Sequence, residues 1–203
     1  MPINTDDIIT ELSAIGVVCS YLGVPEPVDL NDIGTDPDWG LIQRILKSVT
    51  KEQLHKGLEE NSEFTFDLTQ EVDGTVLVPA GAIRWVVQYD HEERYVERDG
   101  KVYDRIDHTD VLNKDLVVDI VWNLTFDSLP EIIKHYLTVK TAYKAVSRLK
   151  GSDSVLQSIQ QDLDDANYEY LRYQGRSNKM TLLDNSEVNF IASRHMEYNH
   201  YLR

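Results

Sequence analysis

Few of the residues able to do chemistry stand at a spacing that chemistry requires. The stretch His195-Met196-Glu197-Tyr198-Asn199-His200 has metal-ligand residue types but matches no standard zinc spacing. Asp104, Asp107, His108 and Asp110 cluster after a hairpin signal and could hold a divalent cation through oxygens. An Asp-rich turn, whose carboxylates accept from nearby backbone N–H groups, has the same composition and is the commoner meaning of it. Carboxylates are so numerous that a glycosidase pair can be picked from them at will, so only geometry could identify one. Phe64, Phe66 and Trp85 fall at strand-face spacing and read as core before they read as a sugar platform. There is no phosphate loop, nucleophile elbow or zinc-protease helix. The residues therefore predict no catalytic site, no metal and no cofactor.

Two charged rows are ordered more strictly, and the chemistry open to them is pairing with opposite charge. Lys140, Lys144 and Arg148 recur at helical spacing, as do Asp162, Asp165 and Glu169. At about 100° per residue each row forms one ridge on a helix. The elements that must carry these ridges are two amphipathic helices within residues 128–173, joined at Lys150-Gly151-Ser152. Ser128 can cap the first, and Pro130 fits an opening turn whose N–H groups lack partners. Leu129, Ile132, Tyr136, Val139, Tyr143 and Val146 draw its seam, with Ile133 and Leu137 on the flank that becomes the basic ridge. Ser152 or Asp153 can cap the second helix, whose seam is Leu156, Ile159, Leu163, Ala166, Tyr170 and Tyr173. So short a connection predicts antiparallel packing, seam to seam. The two ridges then lie on opposite-handed flanks and cannot neutralise each other within the hairpin. Complementary opposite edges suit head-to-tail association, which closes into rings when the rotation allows. Two solvated faces of a monomer would carry the same charges.

A chain of 203 residues can bury one good core, or one core with a small satellite. Its net charge of −15 argues against a general binder of nucleic acid or membrane surface, since both are anionic. A conduit through which DNA must slide is compatible with acidity, because it should not hold phosphates. The single cysteine, Cys19, falls on the apolar face of the first helix and reads as a buried thiol. Asp6 and Asp7 stand where a secretory signal would carry Lys or Arg, and no apolar run is long enough to span a bilayer. Synthesis in a reducing cytosol is the expectation.

In chain order, Asn4 or Thr5 can cap a helix reaching Leu22, with Gly23 as its stop. Val24-Pro25-Glu26-Pro27-Val28 follows as a stiff connector. No Lys or Arg occurs before Arg44, which leaves an acidic end able to face a basic partner. Asp36 or Asp38 opens a second helix carrying Leu41, Ile42, Ile45, Leu46, Val49 and Leu54, and Gly57 ends it. The period then changes to alternation. Strands are predicted at residues 64–68, 76–78, 83–87 and 116–122, and on either side of Asp99-Gly100, the strongest short hairpin signal. The fold class that results is α+β: mainly a helical bundle with an inserted small antiparallel β region and an extended C-terminal arm. Its parts are residues 1–60 (first helices), 61–125 (β insertion), 126–174 (helical hairpin) and 175–203 (arm). The arm carries Met180, Leu182, Leu183, Phe190 and Ile191 without a sustained period, which fits a segment that wraps a partner or one that stays a free tail.

These features, in this order, resemble the tail tubular protein A family of short-tailed, T7-like bacteriophages. The likeness rests on Glu11-Leu12-Ser13-Ala14-Ile15-Gly16, then Leu22-Gly23-Val24-Pro25-Glu26-Pro27-Val28, and on the helix containing Arg44-Ile45-Leu46. It continues through Asp99-Gly100-Lys101-Val102-Tyr103-Asp104-Arg105, Leu129-Pro130-Glu131, Asp165-Ala166 and residues 178–184. Leu58 departs from it, where the family has a bulky aromatic. The resemblance implies a non-enzymatic head-to-tail adaptor of the virion tail. Twelve copies would form a ring below the portal protein and above the tail nozzle, a tail tubular protein B-like partner. Genomic DNA would pass the lumen without sequence readout. Lys140, Lys144 and Arg148 of one copy would then approach Asp162, Asp165 and Glu169 of the next, and Met180, Leu182, Leu183, Phe190 and Ile191 would bind the portal. Two other classes compete. A virion-associated polysaccharide-degrading hydrolase needs two carboxylates roughly 5 to 10 Å apart across a groove, and a DNA-contacting module needs the basic ridge on the lumen with a steep salt dependence.

Overall fold

A computed structural model describes residues 9–88, 94–149 and 153–177. Helix α1 (Glu11–Leu22) begins later than Asn4 or Thr5, because Thr10 and Ser13 form the cap. The Ser13 N–H donates to Thr10 Oγ1 at 3.2 Å, and the Thr10 N–H donates to Ser13 Oγ at 2.8 Å. This reciprocal box satisfies two N–H groups that the helix leaves open. Gly23 ends α1 at φ +67°, a conformation that suits glycine. Helix α2 (Pro37–Leu54) is capped by Asp36, with proline in its first turn.

Helix α3 (Glu131–Leu149) does not start from Ser128, which closes a short 3₁₀ turn, Phe126–Ser128. The Ser128 hydroxyl donates to the Thr125 carbonyl at 2.7 Å, and Pro130 supplies the carbonyl accepting from Lys134 N–H at 3.0 Å. Helix α4 (Asp153–Ser177) runs past Tyr173 and through Gly175. Tyr136, early in α3, stacks on Tyr170, late in α4, with ring centroids 4.6 Å apart, so the two helices are antiparallel. Residues 150–152, the predicted connecting turn, lie outside the described residues.

The four helices share one core. Helix α3 is at its centre and packs against α1, α2 and α4. Its buried surface is therefore wider than the one predicted seam: Ile133, Leu137, Ala142 and Ala145 are fully buried, whereas Ile132 is 39 % exposed. Polar residues that this wrapping buries are satisfied locally, Thr138 and Thr141 donating to carbonyls one turn back at 2.8 and 2.7 Å. Cys19 is fully buried in this core. Burial, then the nearby charge of Glu26, pushes its thiol up to about 11. Leu58 is buried there too, at the position where the sequence departs from the family pattern it resembles.

The strands make a second core. Strand β5 (Leu116–Trp122) is central, with β1 (Ser62–Leu68) and β2 (Ala82–Val87) antiparallel on either side. Strands β3 (Tyr95–Arg98) and β4 (Lys101–Asp104) form the hairpin predicted at Asp99-Gly100, where φ is +50° and +75°. Two expectations fail here. Within residues 76–78 only Val76 and Leu77 bridge, each in isolation, since the turn at Gly74 and Pro79 leave too little chain for a ladder. Phe64 is not core but 73 % exposed. A bulge between Glu63 and Phe66 sets two residues against Asp119 alone, with Thr65 at φ +56°, and the alternation slips. Asn61 fastens the two cores, donating to Leu54 O at 3.1 Å and Trp122 O at 2.7 Å while accepting from Leu58 N–H at 2.7 Å.

Candidate subunit interface

The basic ridge lies along the seam between α2 and α3. Leu41, Ile45 and Val49 follow one another at four-residue steps on α2, with Arg44 and Ser48 beside them. Together with Lys144 and Arg148 of α3 they line an open groove of about 230 Å³. Its floor is apolar and its rim carries three cations. Glu52, at the far end of α2, accepts from Lys144 Nζ at 2.8 Å and from Lys140 Nζ at 3.1 Å. Those bonds, Lys144 first, outweigh burial and hold the Glu52 carboxyl near 2. Lys140 and Lys144 thus share one internal carboxylate. Arg148 holds no carboxylate among the described residues, and Arg44 donates to its own helix at Gly40 O, 3.1 Å away.

The acidic ridge faces elsewhere. Asp162 accepts from the Tyr21 hydroxyl of α1 at 2.9 Å. Burial and then this bond raise the Tyr21 phenol to about 12. His135 is near the same carboxylate, its pKa lowered by burial and partly restored by the Asp162 charge. Asp165 is exposed, and Glu169 reaches Arg172 at 3.6 Å. None of the six ridge residues pairs with a member of the other ridge: Lys140 and Lys144 turn towards α2, Asp162 towards α1. The sequence reading passed over Arg44 and Ser48 on the groove, Glu52 behind it, and an exposed pair on α4, Tyr168 and Leu171, at 65 % and 56 %. Both members of that pair fall off the predicted seam, which is the signal that could have revealed them.

The other candidates resolve into structure. Asp104 is 2 % exposed, and its carboxylate meets Arg94 at 2.6 Å while accepting from the N–H groups of Ile106 and Asp107. Burial pushes this carboxyl up, but the bond from Arg94 and those from the backbone outweigh it and bring it to about 2. Asp107 joins the same guanidinium at 2.8 Å and Asp110 stands 3.6 Å from Lys101, so the cluster is an Arg-tied turn. Among the described residues no group of three or more His, Cys, Asp or Glu side chains could hold a metal ion, and no helix is long and apolar enough to cross a membrane. The α2/α3 groove is lined by no carboxylate, so it offers no glycosidase pair. His195 to His200 and the arm residues Met180, Leu182, Leu183, Phe190 and Ile191 lie outside the described residues.

Comparison with known sequences decides the family. The profile of the family described as "Tail tubular protein" matches residues 12–180. The chain belongs to the tail tubular protein family. It is also similar to "Tail tubular protein A" of Klebsiella phage KP34, 26 % identical over 144 residues, which cover 71 % of this chain and 75 % of that one. Tail tubular proteins are structural components of the phage tail. That role, a place in the virion tail and assembly with other tail components follow for this chain. The family resemblance read from the ordered motifs is therefore borne out, as is the α+β fold of helices with small antiparallel sheets.

Proposed function

We propose that this tail tubular protein is the head-to-tail adaptor of a short-tailed phage. Made in the host cytoplasm, it forms a closed, twelve-fold ring between the portal and the tail nozzle. The ring's lumen passes the genome without reading it. One observation carries this reading: the bundle has two charged edges of opposite sign, α3 towards α2 and α4 towards α1, that cannot meet within one subunit. A heterologous contact joins unlike edges of successive copies, and a suitable rotation closes it. Arg148, with Lys140 and Lys144 behind it, approaches Asp165 and Glu169 of the next copy, with Asp162 alongside. Such pairs fix register and partner choice more than they add affinity. The residues after α4, including Met180, Leu182, Leu183, Phe190 and Ile191, contact the portal.

Electron microscopy of the full chain mixed with purified portal tests the ring. Circular particles of uniform copy number are expected, and Arg148→Glu should weaken them unless Asp165→Lys restores the pairing. Rings indifferent to both changes would reject the charged contact, and single subunits on the portal would reject the ring. Truncation after Ser177 should abolish portal binding with little change in thermal unfolding; retained binding would exclude the arm.

A further inference from the structure

The outward side of α4 and the α2/α3 groove are opposite in charge, and each carries apolar side chains beside its charged ones. Tyr168 and Leu171 are 65 % and 56 % exposed, one turn apart on a helix whose opposite face, through Ile159, Ala166 and Tyr170, is buried. Asp164 and Asp165 stand one turn before them, both exposed. Asp164 accepts from Gln160 at 2.8 Å. The groove answers each feature. Leu41, Ile45 and Val49 give it an apolar floor, Arg44, Lys144 and Arg148 a cationic rim, and its volume is about 230 Å³. An apolar cavity of about 150 Å³ takes a benzene ring, so one phenol ring fits.

We propose that Tyr168 of one copy seats in the α2/α3 groove of the next, with Leu171 against Leu41 and with Asp164 and Asp165 meeting Arg44 and Arg148. This rests on the ring reading and names its contact. The occupant is a second copy because the knob has the acidic border that the basic rim calls for, and because the two surfaces lie on different sides of one fold. A large aromatic in a desolvated pocket ringed by charge is the usual anatomy of an interface hot spot.

Two single variants of the full chain, Leu41→Cys and Leu171→Cys, test the placement. Mixed in equal amounts on purified portal and mildly oxidised, they should give a disulfide-linked dimer that neither gives alone. Cys19, with no exposed surface, contributes no crosslink. Tyr168→Ala, at an exposed position, should raise the concentration for half-assembly by about tenfold or more with an unchanged melting temperature. Rings seen by microscopy without the mixed dimer, and without an effect of Tyr168→Ala, overturn the groove pairing and leave the ring standing. No ring in any sample overturns the ring reading and this pairing with it. Salt-sensitive duplex binding that Arg148→Glu removes, with ring formation untouched, also overturns it by making the groove a phosphate site.

Discussion

Replacing Glu52 by glutamine tests how the bundle handles its basic ridge. The carboxyl drops from 4.5 to about 2 in the fold, because Lys144 and then Lys140 donate to it. At roughly 1.36 kcal/mol per pKa unit the linkage ceiling is about 3 kcal/mol. The Glu52 side chain is 48 % exposed, so solvent screens both pairs and about 1 to 2 kcal/mol remains. For a chain of this length each kcal/mol moves the melting temperature by about 2–4 °C, so Glu52→Gln should melt about 2–8 °C lower at pH 7. The folded pKa lies below the unfolded one. The contribution is therefore complete above pH 4.5 and is lost as pH falls towards 2. Parallel thermal melts of wild type and Glu52→Gln from pH 7 to pH 2.5 should converge across that window, and 1 M salt should narrow the gap at pH 7. A gap absent at pH 7, or one that persists unchanged to pH 2.5, would refute the shared-carboxylate account.

Other perturbations follow from the same geometry. Leu137→Ala, at a fully buried site in the central helix, should cost about 2–5 kcal/mol and lower the urea midpoint at constant m. Arg94→Gln strips the cation from a carboxylate whose side chain is 3 % exposed, and urea titration should show a loss of about 3 kcal/mol. Asp104 in the wild type, held near 2 against an ordinary 3.8, should lend stability that disappears as pH falls between those values. Gly100→Ala forces a side chain onto φ +75° and should destabilise by about 1 kcal/mol or more in a thermal melt.

Legibility followed the number of neighbours each element has. Helix α4 packs mainly on α3, and its seam of Ile159, Leu163, Ala166 and Tyr170 is plain in the sequence because one neighbour asks for one stripe. Helix α3 meets three helices, so its apolar residues run most of the way round, and Ile133 and Leu137, on a flank by spacing alone, are core. The β3–β4 hairpin was readable because Asp99-Gly100 encodes its turn locally. Phe64 was not, because the bulge that turns it outward depends on the ladder with β5 rather than on β1's own alternation. Glu52 was hidden for a related reason: its lysines lie 88 and 92 residues away, and no local spacing connects them. The ridges as rows of charge could be read from spacing alone, but not which of their members would already be paired.

That prior pairing sets where an external partner gains most. A cation already sharing a carboxylate has part of its desolvation offset and part of its field cancelled, so a second carboxylate adds little. Lys140 and Lys144 are in that state; among the described residues Arg148 is not. Glu52→Gln and Arg148→Glu should therefore move the protein in opposite senses. Removing Glu52 weakens the fold but raises the positive potential beside the groove, so assembly with an acidic face should tighten. Reversing Arg148, exposed at the end of α3, should leave the melting temperature within about 1 °C and weaken assembly. Sedimentation of each variant at low and high salt separates the two effects, and a common direction for both would mean that the groove does not face an acidic partner.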